Sequence, residues 1–119
     1  MVVLLDTTVI MEFLKGTKSV SEVIKMLFSK NCEIYYTQFV IFDIFAKIKN
    51  KKDEYVINSL FDVFSYIEID KRIAKKAGEY KKDYPEMQIT ACFNASCSNI
   101  LSIPFYTLKT SDYPMTDIT

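Results

Sequence analysis

Residues 1–16 read MVVLLDTTVIMEFLKG, and the step from Leu5 to Asp6 decides the fold. Val2 to Leu5 form an unbroken apolar run, the pattern of a strand covered on both faces. From Val9 the spacing changes. Val9, Ile10, Phe13 and Leu14 fall on one face of a helix, and Gly16 is placed to end it. A buried strand that turns directly into a helix opens an α/β unit with a parallel sheet. Asp6 stands at that junction. There it serves either as the helix cap, with Thr7 or Thr8 beside it, or as a site residue on the rim where open α/β sheets place ligands.

The alternation continues along the chain. Ser19 and Glu22 have capping-box spacing ahead of Val20, Val23, Ile24 and Leu27, which predicts a second helix. Residues 32–37 predict a strand, Thr37 an N-cap, and Gln38 to about Ile48 a helix that is apolar nearly all round. The lysine-rich stretch 47–54 reads as a solvated connection, followed by a helix from about Glu54 to Phe64 and a strand over 66–69. Asp70 is placed to cap a helix in which Ile73, Ala74, Ala77, Tyr80 and Tyr84 recur at helical intervals, and Pro85 breaks it. A helix of small residues over 86–97, a strand over 104–108 and a polar tail with Pro114 complete the pattern. The expectation is one domain over residues 1–119, a three-layer α/β/α fold with a mostly parallel sheet.

Composition narrows the chemistry. Half of the 119 residues are apolar, enough for one core. The 15 basic and 15 acidic residues balance, so any surface for nucleic acid has to be local. With no histidine, a zinc site or a histidine-based triad lacks its usual ligand or base. The three cysteines, Cys32, Cys92 and Cys97, have no C-x-x-C spacing and read as reduced, buried thiols of a cytoplasmic protein. Neither of the two glycines follows a strand in a phosphate-loop pattern, which disfavours Walker-type and dinucleotide binding. The apolar start is too short, and lacks the basic region, for a signal peptide. The greasy stretch 35–48 is interrupted by Asp43 and falls short of a membrane span.

Two further acids break the apolar pattern. Asp43 lies within FVIFDIFA, where an isolated buried carboxylate costs several kcal/mol unless it is paired, protonated or metal-bound. Asp112 follows the last strand in YTLKTSDY and, alone, reads as a polar turn. Together, Asp6, Asp43 and Asp112 each follow or flank a buried element on the same expected rim. Carboxylates without histidine or thiolate partners suit hard cations such as Mg²⁺ or Mn²⁺. Such ions activate water and stabilise charge at a phosphodiester.

At these residues the chain resembles a PIN domain, the nuclease fold of the VapC toxins of toxin–antitoxin pairs. VVLLDTTVIMEFLKG is similar to that family's opening strand, first catalytic Asp, Ser/Thr and helix. TQFVIFDIFAKI resembles the helix that carries its second acid, usually Glu, with Asp43 in that place. YTLKTSDY resembles the closing segment, in which a strand ends in Thr and an Asp-aromatic pair follows; here these are Thr107, Asp112 and Tyr113. The resemblance spans essentially the whole chain. It implies a Mg²⁺- or Mn²⁺-dependent ribonuclease with Asp6, Asp43 and Asp112 as catalytic metal ligands and Thr7 and Thr107 as auxiliary residues. It also implies RNA and an antitoxin-like protein as partners, a homodimer and a cytoplasmic location.

Two departures fall on the site. The family's third acid opens a helix resembling D-A-x-I-A-A-x-A, and TACFNASC puts Thr90 where that aspartate belongs. Asn94, one turn on, is placed to offer a carbonyl to the cleft. Lys109 stands where the family commonly has Asn or Asp; its ammonium either neutralises the carboxylates or points to solvent. These substitutions imply weakened activity. The alternative is a PIN-like module that has lost catalysis and acts by binding RNA or protein. A phospho-acceptor receiver domain would need its acceptor at the end of the third strand, where Asp70 fits only loosely. The lysine groups 47–52 and 71–76 suit either RNA phosphates or solvent.

Overall fold

Every alternation in the apolar pattern becomes an element in the computed structural model, which describes residues 1–118. In chain order these are β1 (Val2–Leu5), α1 (Thr7–Leu14), α2 (Lys18–Ser29), β2 (Glu33–Thr37) and α3 (Gln38–Lys47). There follow α4 (Lys51–Val63), β3 (Ser65–Ile67), α5 (Lys71–Asp83), α6 (Ile89–Leu101) and β4 (Phe105–Tyr106). A 3-10 turn spans Thr110–Asp112. The four strands form one sheet in the order β3-β2-β1-β4, and every pairing is parallel. Strand order reverses between β1 and β4, and sheets of this kind take ligands outside the carboxyl ends at such a point.

The continuous apolar runs are explained by a sheet covered on both faces. Val3 and Leu5 of β1 and Ile34 and Tyr36 of β2 point into a core built with α1, α2, α3 and α4. Val2 and Leu4, with Tyr35 and Ile67, point the other way, against Ile73, Cys97 and Ile103 on the α5–α6 side. Those two helices hold a further cluster with Tyr113 and Met115. The helices are therefore segregated in two layers about the sheet. The three-layer α/β/α expectation holds, with a sheet that is wholly parallel.

Local signals account for most boundaries. Asp6 caps α1, and Gly16, at φ of 79°, turns the chain after it in the left-handed region that a side chain rarely adopts. Thr37 accepts from the Val40 N–H, and Asp70 from the Ile73 N–H, so both caps are made as read. The Ser19–Glu22 box is not made. Thr17 is the N-cap of α2, and its hydroxyl donates to Glu12 at 2.6 Å instead. The connection before α4 is shorter than expected, because Asn50 accepts from the Asp53 N–H and starts the helix at Lys51. The final segment is not simply a polar tail: Tyr113 and Met115 are buried, and Tyr80 and Lys76 hold Asp117.

The largest correction concerns α3. The helix is not buried all round: Val40 and Ile44 are fully buried, whereas Phe42 is 70% exposed and Asp43 is half-buried. A helix on an outer layer buries one stripe only, and here aromatic residues also occupy the outward side. No helix among the described residues is long and apolar enough to cross a membrane. The difference between the two faces gives a test. Ile44→Ala should lower unfolding free energy in urea by about 2–5 kcal/mol, as a fully buried truncation does, while Phe42→Ala should stay within about 0.5 kcal/mol.

Candidate functional site

Asp6 leaves β1 at the carboxyl edge of the sheet, directly beside the end of β4, since its N–H donates to the Tyr106 carbonyl at 3.1 Å. Its side chain is 6% exposed and receives four hydrogen bonds. Oδ1 accepts from the Thr7 N–H at 2.7 Å and from the Asn94 amide at 3.4 Å. Oδ2 accepts from the Thr107 hydroxyl at 2.7 Å and from the Thr8 hydroxyl at 3.0 Å. A carboxylate has about four lone-pair sites, so the protein fills this one itself. The Thr7 contact is the helix cap, and the same carboxylate lines the cleft beside Thr8.

Asp43 lies across from it on α3. Its Oδ2 accepts from the Thr7 hydroxyl at 3.2 Å, so Thr7 links the two acids through one residue. Asp112, half-buried at the end of the 3-10 turn, completes the rim. A cleft of about 370 Å³ is lined by Asp6, Asp43, Asp112, Thr90, Lys47 and Lys109, among others. The three acids of the sequence reading thus share one cleft. Among the described residues, however, no three His, Cys, Asp or Glu side chains stand close enough together to hold an ion as placed.

The auxiliary residues divide. Thr90 lies in the first turn of α6 and lines the cleft, with its hydroxyl donating to the Phe39 carbonyl at 3.5 Å. A stack of Phe39 on Phe93, with centroids 3.9 Å apart, fixes α3 against α6 and sets Asp43 and Thr90 on opposing walls. Asn94 is fully buried and does not offer its carbonyl to the cleft. That oxygen accepts from the Thr37 hydroxyl at 3.2 Å, and the amide faces Asp6 and the Tyr113 hydroxyl. The reason is charge: beside a carboxylate, an amide N–H is favoured over a second oxygen. Thr107 holds Asp6 and accepts from the Lys109 N–H at 3.0 Å. The Lys109 side chain lines the cleft, but among the described residues it makes no ion pair.

Three participants escaped the sequence reading. Thr8 was considered only as a helper to the cap, yet its hydroxyl binds Asp6 and accepts from the Leu108 N–H, tying α1 to the loop after β4. Lys47, from a group that suits either RNA phosphates or solvent, lines the cleft, and its position one turn after Asp43 is the signal that puts both on one face. Tyr113 entered as part of a pattern and proves to be buried against Asn94. Burial, then the charge of Asp6, holds its phenol well above the ordinary value, so it remains protonated. Burial pushes the Cys97 thiol up to about 12, with the charge of Asp70 adding, and burial also raises Cys92, so these two are poor nucleophiles.

The donor set is carboxylate and hydroxyl oxygen, which suits a hard divalent cation in kind. Asp43 and Asp112 keep uncommitted oxygens for it, whereas Asp6 is already supplied. Lys47 and Lys109 line the same cleft without pairing with these acids among the described residues.

No family model matches this chain, and no curated protein matches it in sequence. Solved structures do match. VapBC2 from Rickettsia felis, bound to a DNA fragment from its promoter, is similar with a TM-score of 0.76 at 15% identity, covering 96% of this chain and 94% of that one. A toxin–antitoxin complex from Klebsiella pneumoniae gives 0.79 at 13% identity, covering 94% and 90%. VapBC-1 from nontypeable Haemophilus influenzae gives 0.72 at 16%, covering 95% and 90%. At these identities the likeness establishes the fold, and it is the PIN-type fold that the sequence resemblance implied.

The buried part of the network has a measurable worth. Asn94→Leu should cost about 1–3 kcal/mol in urea melts by stranding buried partners. Asn94→Asp should cost more, because it sets a second carboxylate against Asp6.

Proposed function

We propose that this chain is a VapC-type toxin ribonuclease of weakened activity, dependent on one Mg²⁺ or Mn²⁺ ion and paired with an antitoxin-like protein. The observation that carries the reading is the meeting of Asp6, Asp43 and Asp112 on one cleft at the reversal point of a parallel sheet. The antitoxin partner is inferred from the neighbours, which are VapBC and toxin–antitoxin complexes. A homodimer and a cytoplasmic location belong to the same reading.

Asp43 and Asp112, with Asp6 behind them, would hold the ion. When bound, such an ion lowers the pKa of its water and stabilises charge at a phosphoryl group. The chain's own residues do the rest. Asp6 is held by four donors and sets the position of the rim without moving. Thr7 holds Asp43 in register with it. Lys47 and Lys109 lower the repulsion that an approaching phosphodiester meets from three carboxylates. Thr90 is where the resemblance places a further acid, and a neutral hydroxyl there weakens the hold on any cation.

A second reading is favoured by one observation. The hydrogen bonds to Asp6 stabilise the cleft without any ion, as a PIN-like module acting only by RNA or protein binding requires. Cleavage of single-stranded RNA with Mn²⁺ separates the two. On the nuclease reading the wild type cuts slowly, Asp43→Asn abolishes cutting, and Thr90→Asp raises it by about 10–100-fold, the range in which ligand-shell changes act. Absence of cleavage in the wild type and in Thr90→Asp, with no Mn²⁺-induced rise in Tm, selects the binding module.

A further inference from the structure

A basic pocket of about 410 Å³ adjoins the acidic cleft, and Thr7, Thr8, Lys47 and Lys109 line both. Lys15 completes its charge. The three lysines come from separate parts of the chain: the C-cap of α1, the last turn of α3 and the loop after β4. Lys47 and Lys109 make no ion pair among the described residues, although three acids lie in the neighbouring cleft. Lys15 meets only Glu12, at 3.7 Å; that carboxylate also lines the pocket and accepts from the Thr17 hydroxyl at 2.6 Å, so three positive groups outnumber one negative there. Helix C-termini account for part of the placement of Lys15 and Lys47, but not for Lys109. Met11 and the 45%-exposed Leu108 supply an apolar wall.

We infer that this pocket is a phosphate subsite for single-stranded RNA, seating a backbone phosphate next to the phosphodiester in the acidic cleft; the inference rests on the RNA reading of that cleft. Lysine ammonium groups bind phosphate as mobile point charges, and lysines facing one space suit a phosphodiester, whose two non-bridging oxygens share one negative charge. The apolar wall takes a ribose or base face, the usual companion of a charged groove in single-strand binding. An acidic peptide would use the lysines but leave the acidic cleft beside them facing carboxylates. A nucleic-acid chain gives both spaces a use, so RNA is the occupant the geometry favours.

The test is fluorescence anisotropy of the full chain with a labelled single-stranded RNA in EDTA, across a salt series. Lys15→Ala, Lys47→Ala and Lys109→Ala should each weaken binding and reduce the slope of log affinity against log salt by about 0.7, the value for one phosphate contact on a single strand. Lys25→Ala, on the exposed face of α2, should change neither. Lys109→Arg should keep the slope. The inference is overturned if the triple alanine variant, folded by circular dichroism, binds with the wild-type slope, or if the wild type binds no RNA. It also falls if polyglutamate displaces the RNA at equal charge concentration, which would mark a site for an acidic protein. Cleavage is read separately with Mn²⁺. Lysine-dependent binding without cleavage removes the nuclease reading and keeps the subsite, whereas cleavage with KM unaltered in the triple variant does the reverse.

Discussion

The carboxylate of Asp6 is the constraint on which the rest of the cleft depends. It is almost wholly removed from water, and a bare buried charge is costly. The chain meets that cost with an amide N–H from the start of α1, a hydroxyl from α1, a hydroxyl after β4 and an amide from α6. Each donor therefore fixes one wall. Three of them are fixed in turn, Thr8 by the Leu108 N–H, Thr107 by the Lys109 N–H and Asn94 by Thr37. In a low-dielectric setting such a network strengthens as it closes, and the loss of any member leaves others unsatisfied.

Around this fixed point the charges are arranged by exposure. Asp43 and Asp112 are only half-buried, so water still solvates them and the two need no cationic partner to stand where they do. The ion pairs that the described residues do form are at least partly solvent-exposed and contribute little to stability, whether at the pocket edge, as Lys15 with Glu12, or on the outer surface, as Arg72 with Asp70. The cleft and the adjoining pocket thus keep opposite charges side by side without joining them. That separation leaves both sets of groups available to a ligand.

Much of this was legible in the sequence where a residue has one physical use. The run Val2–Leu5 admits only a strand covered on both faces, Gly16 has the left-handed turn it is suited for, and Thr37 and Asp70 cap as their types prefer. Reading failed where one residue type serves two roles. Lys51 and Lys52 suit a solvated loop and a solvated helix face equally, so the start of α4 was hidden behind them. Phenylalanines at helical spacing suit a core and a subunit interface equally, so the sequence does not reveal that Phe42 and Phe45 reach the surface of this chain. In the site, Asp6 and Asp43 stood out because acids are rare in apolar runs. The donors that hold Asp6 did not, since hydroxyls and amides occur everywhere and only the fold shows which of them converge.

The strand order carries a consequence in time. β1 is made before its neighbours, but the second of them, β4, lies at Phe105–Tyr106, and Thr107 and Asp112 come later still. Chain emerging from a ribosome therefore lacks one wall of the cleft, and two of the donors to Asp6, until Asn94 and Thr107 have been synthesised. Contacts across so long a separation also form slowly. Whatever the cleft does, it does only once Asp6 has been joined by residues made about a hundred positions later, since Thr107 holds it across that separation.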